Sequence, residues 1–299
     1  MVIPALNAAG TIPEALESVT RQTYRNIIEV IVAAGDDETA AAADNSAVVI
    51  HNPSGKTPTG LNLAIANSKG EVIVRCDAHS RLPPDYVTTA VETLTRTKAA
   101  VVGGMQVPTA ETAWEKAIAT AMSSPLGAGD ARYRTGGAAG PVETVYLGVF
   151  RRESVDRVGG FDEEFIRNQD YELNHRLIED GGMVWFDPNL KVEYRPRSSL
   201  SSLARQYFEY GTSKRRFSRK HPNSLRWRQL LPPILVLLLT ASLVVSLWWP
   251  PAILIPALYG VAMAATGIAA AAPWWRVALA LVTMHLSWGS GFLIGANSR

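Results

Sequence analysis

The most constraining feature of this chain is its C-terminal stretch. From Leu230 to Arg299 there is no Asp, Glu or Lys, and only Arg276 and Arg299 are basic. A membrane-spanning helix needs about 20 predominantly apolar residues, because a helix satisfies its own backbone inside hydrocarbon. Three stretches fit that requirement: 231–249, 252–271 and 277–296. Pro232 and Pro233 stand in a first helical turn, where a missing N–H costs little. Pro250-Pro251 forbids one continuous helix through that point. Trp248, Trp249, Trp274 and Trp275 fall at the ends of these stretches, where indole rings favour the membrane–water interface.

The rest of the charge is partitioned sharply. Residues 1–194 carry 17 Lys and Arg against 26 Asp and Glu, whereas residues 195–228 carry ten basic residues against Glu209 alone. An acidic globular part, a basic collar and an uncharged apolar tail exclude a simple soluble enzyme. They also argue against a nucleic-acid partner, because the positive charge adjoins the apolar tail. Lys214, Arg215, Arg216, Arg219, Lys220, Arg226 and Arg228 precede the first apolar stretch, so that end is expected to be cytoplasmic. Met1-Val2-Ile3 runs directly into Pro4 and reads as no signal peptide. The globular part is therefore expected in the cytoplasm, on a multi-pass anchor in the inner (plasma) membrane. The single cysteine, Cys76, rules out a disulfide framework and any multi-cysteine zinc site.

The globular part reads as α/β. Short β-branched runs at 29–33, 47–50, 71–76 and 99–102 have the character of buried strands. Helical patterns alternate with them at 11–21, 61–68 and 84–97. Thr11 with Glu14 has capping-box spacing. This alternation predicts a mostly parallel sheet with crossover helices, whose ligands bind outside the carboxyl ends of the strands.

Three constellations carry polar chemistry. Asp77-Ala78-His79 follows the run 71–76, and a carboxylate and an imidazole two residues apart suit a divalent ion, Mn²⁺ better than Mg²⁺. A terminated strand beside a surface histidine would look the same. Gly159-Gly160-Phe161-Asp162-Glu163 reads as a flexible loop, and Gln169-Asp170-Tyr171-Glu172-Leu173 opens a helix to about Glu179. Acids there gain from the helix dipole whether or not they react. Tyr207, Tyr210 and Lys214 share one face of a basic, aromatic helix that suits an anionic membrane surface. His51, His175, His221 and His285 have no ligand spacing and read as structural.

Taken together, three segments in order resemble glycosyltransferase family 2, inverting enzymes with a GT-A fold, and most of all its succinoglycan-biosynthesis type. They are VIPALNAAGTIPEALESVTRQTY, NPSGKTPTGLNLAIANSKGEVIVRCDAHSRLPPDYV and GGFDEEFIRNQDYELNHRL. The likeness runs from Val2 to about Arg228. It implies a GT-A domain over 1–197, a basic interface segment over 198–229 and a transmembrane region over 230–299. It implies that Pro4 and Asn7 line a nucleotide pocket. Asp77 stands at the first acid of the Asp-x-Asp motif, where it would contact the donor's ribose or sugar, and His79 at the second, making Asp77 and His79 the ligands of Mn²⁺ or Mg²⁺. Asp170 stands at the catalytic base. Gly160, Phe161, Asp162 and Gln169 fall in the acceptor loop. Gln206, Tyr210 and Lys214 lie roughly where processive relatives carry Gln-x-x-Arg-Trp, a motif this string does not match. Ala34 stands where an Asp is expected to contact the base, with Asp36 or Asp37 as the nearest substitute and uridine as the default nucleotide.

The function so implied is transfer of a sugar from a nucleotide-sugar to a hydroxyl of a lipid-linked or polysaccharide acceptor, in exopolysaccharide or cell-envelope glycan synthesis beside other assembly proteins. Two alternatives share the sequence: a polyprenyl-phosphate sugar synthase, and a degenerate transferase that anchors an assembly complex. A transporter is poorly served by apolar stretches whose one imidazole is His285.

Overall fold

The computed structural model describes residues 1–43, 46–270 and 273–295. Its elements run β1 (Val2–Ala5), α1 (Ile12–Thr20), β2 (Ile31–Ala34), α2 (Asp37–Ala42), β3 (Val48–His51), α3 (Thr57–Ala66), β4 (Val72–Val74), α4 (Tyr86–Thr97) and β5 (Val101–Pro108). There follow α5 (Ala113–Ser123), α6 (Pro125–Ala128), α7 (Arg132–Thr135), β6 (Gly140–Pro141), β7 (Tyr146–Arg151), α8 (Arg152–Arg157), α9 (Gln169–Glu179) and β8 (Val184–Tyr194). The chain ends in α10 (Leu200–Lys220), α11 (Leu231–Val245), α12 (Leu254–Ala269) and α13 (Trp274–Ile294). It divides into two compact units, Met1–Val107 with Ala131–Tyr194, and Pro108–Asp130 with Arg195–Arg299.

In the first unit β1, β2 and β3 pair in parallel, Pro4 opposite Ala33 and Ala33 opposite Ile50. A parallel bridge from Val2 to Arg75 leads to the second sheet, ordered β4-β7-β5-β8-β6. Here the expectation of a mostly parallel sheet gives way: β7 lies between β4 and β5 and runs antiparallel to both. The β4–α4–β5 crossover leaves a gap one strand wide, and a strand arriving later in the chain fills it from the opposite direction. Period-2 alternation divides the core between the two faces of the sheet. Ile3, Val32 and Val74 pack with Ile12 and Leu16 of α1 and Val87 and Leu94 of α4. Val2, Ile31 and Ile73 pack with Leu61 and Ile65 of α3, Leu173 and Leu177 of α9, and Phe161.

The capping box expected at Thr11 does not form. Thr11 has helical backbone angles, its hydroxyl bonds to the Ala8 carbonyl, and Glu14 pairs with Arg81 instead. A capping box does form between Thr112 and Glu115, at the start of α5 in the second unit. Arg195 closes on Glu115 (2.9 Å) and Glu111 (2.7 Å) beside it.

Among the described residues, three helices of the second unit are long and apolar enough to cross a membrane: Trp227–Val245, Pro250–Ala269 and Trp274–Ile294. They overlap the three expected stretches: the first ends at Val245 rather than at 249, and the expected ends at 271 and 296 lie outside the described residues. The third begins earlier than expected, so Arg276 falls in its first turn, 4.7 Å from the ring centroid of Trp275. Glycines set the packing around α13. A Cβ on Gly211 of α10 would lie 2.1 Å from the Trp288 carbonyl oxygen, and one on Gly291 would lie 2.2 Å from that of Phe208. Close backbone approach of this kind is the usual role of small residues between apolar helices. His285 is structural, as expected: Nε2 faces the Leu126 carbonyl oxygen and Nδ1 the Tyr259 hydroxyl, both at 3.0 Å.

Candidate active site

The site begins where β4 ends. The Cys76 N–H donates to the Val2 carbonyl at 3.1 Å, so the chain leaves the sheet only after Cys76, with Asp77 at the carboxyl end of the strand. The Ser80 N–H then donates to the Asp77 carbonyl at 2.9 Å. This closes a tight turn in which Ala78 is buried and His79 exposed.

The centre of the site is Arg75, on which the sequence reading placed no role. Its side chain is 5% exposed. Nε and Nη2 both reach Asp77 Oδ1, at 2.9 and 2.8 Å, and Nη1 bonds to Asp170 Oδ1. Two carboxylates from distant parts of the chain therefore meet on one guanidinium. Burial works against the charge of Arg75, but Asp170 and Asp77 outweigh it and raise its pKa, so the guanidinium stays charged. Asp170 is pushed upward chiefly by burial, with Arg75 opposing and Asp77 adding to the rise. It occupies the second position of α9, after Asn168 in a left-handed conformation (φ +61°).

The loop before α9 is not the flexible one its glycines suggested. Asn62 of α3 grips Phe161 at both ends: its Nδ2 donates to the Phe161 carbonyl and its Oδ1 accepts from the Phe161 N–H, each at 2.8 Å. The same Nδ2 donates to Glu163 at 3.0 Å, and the Thr59 hydroxyl donates to Glu163 at 2.7 Å. From the other side, Arg176 of α9 forks onto buried Glu172 and donates to the Gly160 carbonyl at 2.7 Å. Glu172 is thus a structural acid. Gly160 (φ +76°) could not carry a Cβ, which would lie 2.8 Å from Asn62 Oδ1. Asp162 accepts from the Glu164 N–H at 3.0 Å. Gln169 is half-buried at the first position of α9.

Pro4 is buried in β1, and Asn7 follows it exposed, with φ +52°. The Asn7 N–H donates to Asp36 Oδ2 at 2.7 Å, while the Thr39 N–H and hydroxyl take both Asp36 oxygens at 2.8 Å. These bonds, from the Thr39 N–H first and the Asn7 N–H next, hold Asp36 below the usual aspartate range. Its carboxylate ties the turn after β1 to the start of α2.

In the second unit, Gln206 Nε2 donates to the Tyr210 hydroxyl at 3.1 Å, and the Lys214 ammonium lies 4.4 Å from the ring centroid of Phe217. Burial, and then the charge of Arg228, push the Lys214 pKa down to about 7.

A divalent cation fits this donor set. Among the described residues Asp77 Oδ2 accepts no hydrogen bond, and His79 on the same turn is exposed. One arginine between two aspartates leaves the cluster one charge negative. An oxygen and an imidazole nitrogen suit Mn²⁺. Two signals for the residues that sequence reading missed were present. A lone arginine follows directly on the apolar run of β4, and an Asn lies within the helical face of α3.

Residues 1–159 match the sequence pattern of glycosyl transferase family 2. The succinoglycan biosynthesis protein ExoA of Rhizobium meliloti (strain 1021) is 31% identical over 98% of this chain and 93% of that protein. A Methanococcus voltae enzyme is 25% identical over 76% of each chain; it is named dolichyl N-acetyl-alpha-D-glucosaminyl phosphate 3-beta-D-2,3-diacetamido-2,3-dideoxy-beta-D-glucuronosyltransferase. Among solved structures, the mannosyltransferase PcManGT from Pyrobaculum calidifontis, in complex with GDP-Man and Mn²⁺, aligns with a TM-score of 0.62 at 19% identity. That alignment covers 96% of this chain and 85% of PcManGT. S. aureus TarS 1-349 aligns at 0.53 and 14% identity, over 98% of this chain and 89% of TarS 1-349. The chain belongs to glycosyl transferase family 2: it is a glycosyltransferase with a GT-A fold.

Proposed function

We propose that this chain moves a sugar from a nucleotide-diphosphate donor, UDP by default, to a hydroxyl of a lipid-linked saccharide. The work is done at the cytoplasmic face of the inner membrane, in exopolysaccharide or cell-envelope glycan synthesis. The observation that carries the reading is the meeting of Asp77 on Arg75 with Asp170, which lies 95 residues beyond that arginine along the chain. The relatives lend it support. One is named for succinoglycan biosynthesis and another for transfer to a dolichyl-linked sugar, and the solved neighbours were captured with GDP-Man and Mn²⁺ or with UDP.

Asp170 takes the proton of the acceptor hydroxyl as its oxygen attacks the anomeric carbon from the face opposite the diphosphate. The new carbon–oxygen bond forms as the bond to the diphosphate breaks, so configuration inverts in one displacement. A partly desolvated carboxylate is a stronger proton acceptor than one in water. Asp77 and His79 would hold Mn²⁺ or Mg²⁺, which neutralises the departing diphosphate when bound. Pro4 and Asn7 line the nucleotide pocket, with Asp36 fixing the turn that carries Asn7. Gly160, Phe161, Asp162 and Gln169 shape the acceptor side. Gln206, Tyr210 and Lys214 meet the acceptor diphosphate on the basic segment 198–229, which lies on the membrane surface. The apolar helices keep the enzyme where its lipid-borne acceptor is concentrated.

The test is a panel of UDP-sugars with native membrane lipids, scored for radiolabelled lipid-linked product with and without Mn²⁺. Asp170→Asn is expected to lose transfer by about 10²–10⁴-fold while UDP still binds. Near-normal turnover would exclude the base. Asp77→Ala is expected to weaken UDP and Mn²⁺ binding together, and an unaltered Mn²⁺-dependent UDP affinity counts against that ligand.

A further inference from the structure

We propose that Arg75 is a positioning residue of the transfer reaction: its single guanidinium aims the Asp170 carboxylate at the acceptor hydroxyl and locks it to Asp77 on the donor side. This rests on the reading of Asp170 as the base. A purely architectural role is a poor account of the residue. Val72, Ile73 and Val74 before it are apolar, and burying a cation is costly unless partners hold it. An apolar side chain would extend the strand without that penalty.

The placement is also directional. Ile73, two residues earlier and on the same side of the strand, packs with Phe161 and Leu173. Arg75 continues that row toward α9 just beyond the last paired residue of β4. Three N–H groups are spent on two carboxylates that belong to no common element. A planar fork can do this and a lysine ammonium, a point charge, cannot hold both in one fixed geometry. Asp170 sits at the start of α9, and among the described residues the side-chain hydrogen bond to its carboxylate comes from Arg75. Without Arg75 its carboxylate would be free to change rotamer, and a displacement of about 1 Å can cost 10²-fold in rate.

The experiment is a double-mutant cycle on the full-length protein. It is read as kcat at saturating acceptor, with UDP affinity measured separately by calorimetry. Arg75→Lys is expected to lower kcat by about 10²-fold in the native background and by less than about twofold when Asp170 is already Asn. Its effect on UDP affinity, exerted through Asp77, is expected to be equal in both backgrounds. Equal fold-losses of kcat in the two backgrounds would overturn the assignment and leave Asp170 as the base. Native kcat in Arg75→Lys would overturn it too. Near-normal turnover in Asp170→Asn would instead remove the base and this inference with it. Retained UDP binding certifies the fold, and Arg75→Gln repeats the cycle should Lys not fold. Loss of the fold in both variants makes Arg75 a folding residue and refutes the proposal.

Discussion

Asn62→Ala is the substitution whose effect the structure sets most tightly. Asn62 is half-buried on α3 and touches no reacting group, yet its amide satisfies the Phe161 N–H and carbonyl and one oxygen of Glu163. Removing it leaves two partly buried backbone groups without partners. At about 1–3 kcal/mol each in full burial, and less where water reaches them, the expected loss is about 2–4 kcal/mol. For a domain of this size that lowers the melting temperature by roughly 5–15 °C. The chain from Phe161 to Asp170 hangs on this grip, so turnover is expected to fall further than the folded fraction does. Glu163, held below its ordinary value first by Asn62 and then by Thr59, is expected to titrate closer to a free glutamate. Asn62→Asp separates the two ends of the grip. It keeps an acceptor for the Phe161 N–H but turns a carboxylate toward the Phe161 carbonyl and Glu163, which raises its own pKa. Its destabilisation is therefore expected to grow as pH rises through that pKa and to ease in acid. Thermal melts of the detergent-solubilised protein, with transfer assays on the same samples, decide the matter. An Asn62→Ala protein that melts within about 2 °C of the native one and keeps its turnover would refute the reasoning.

Gly211→Ala sets two opposing effects against each other. The helix gains about 1 kcal/mol of propensity, but the new Cβ would lie 2.1 Å from a backbone oxygen of α13, and such overpacking costs about 1–3 kcal/mol or more. A lower melting temperature is expected, whereas Gly260→Ala, with nothing within 4 Å of its Cβ, is expected to be neutral or stabilising in the same assay. Asp36 has a depressed pKa, so its bonds stabilise the protein above the ordinary aspartate value and fade as pH falls through the folded value. Asp36→Ala is expected to flatten the acid limb of the stability curve measured by melting at successive pH values. Asp170 has a raised pKa, so base-dependent transfer is expected to climb with pH through a limb lying above the ordinary aspartate value of 3.8. A pH–rate profile that keeps this limb in Asp170→Asn would assign it to another group.

What the sequence made legible is what local pattern dictates. The runs at 29–33, 47–50, 71–76 and 99–102 became β2, β3, β4 and β5 with shifts of a residue or two at most ends, because β-branched runs bounded by turns have few other fates. The apolar stretches became helices for the same reason. β7 and β8 escaped notice because their pairing is decided by which gap the earlier crossovers leave open, and no window along YLGVFR contains that information. Thr11-x-x-Glu14 misled in the same way. The spacing was right, but Arg81, 67 residues away, offered Glu14 a partner and the Thr11 backbone turned helical.

The site divides along the same line, and the division has a physical cause. Asp77, His79 and Asp170 are legible because each sits at an element boundary, where a polar residue is cheap and its position in a motif is distinctive. Asn62 lies inside α3, and Arg75 is buried directly after β4, places where a polar side chain is costly unless something distant satisfies it. Their presence is a statement about a partner elsewhere in the chain. Arg75 in a run of Val, Ile and Val obliges an anion on the same side of the sheet within reach of a guanidinium. Two aspartates answer it, although one would neutralise it. The surplus negative charge is the part that neutrality does not require. It is placed at the carboxyl end of β4, where an incoming cation and diphosphate would find one carboxylate oxygen still open. A buried cation with one anion too many is thus a sharper pointer to this site than either aspartate alone.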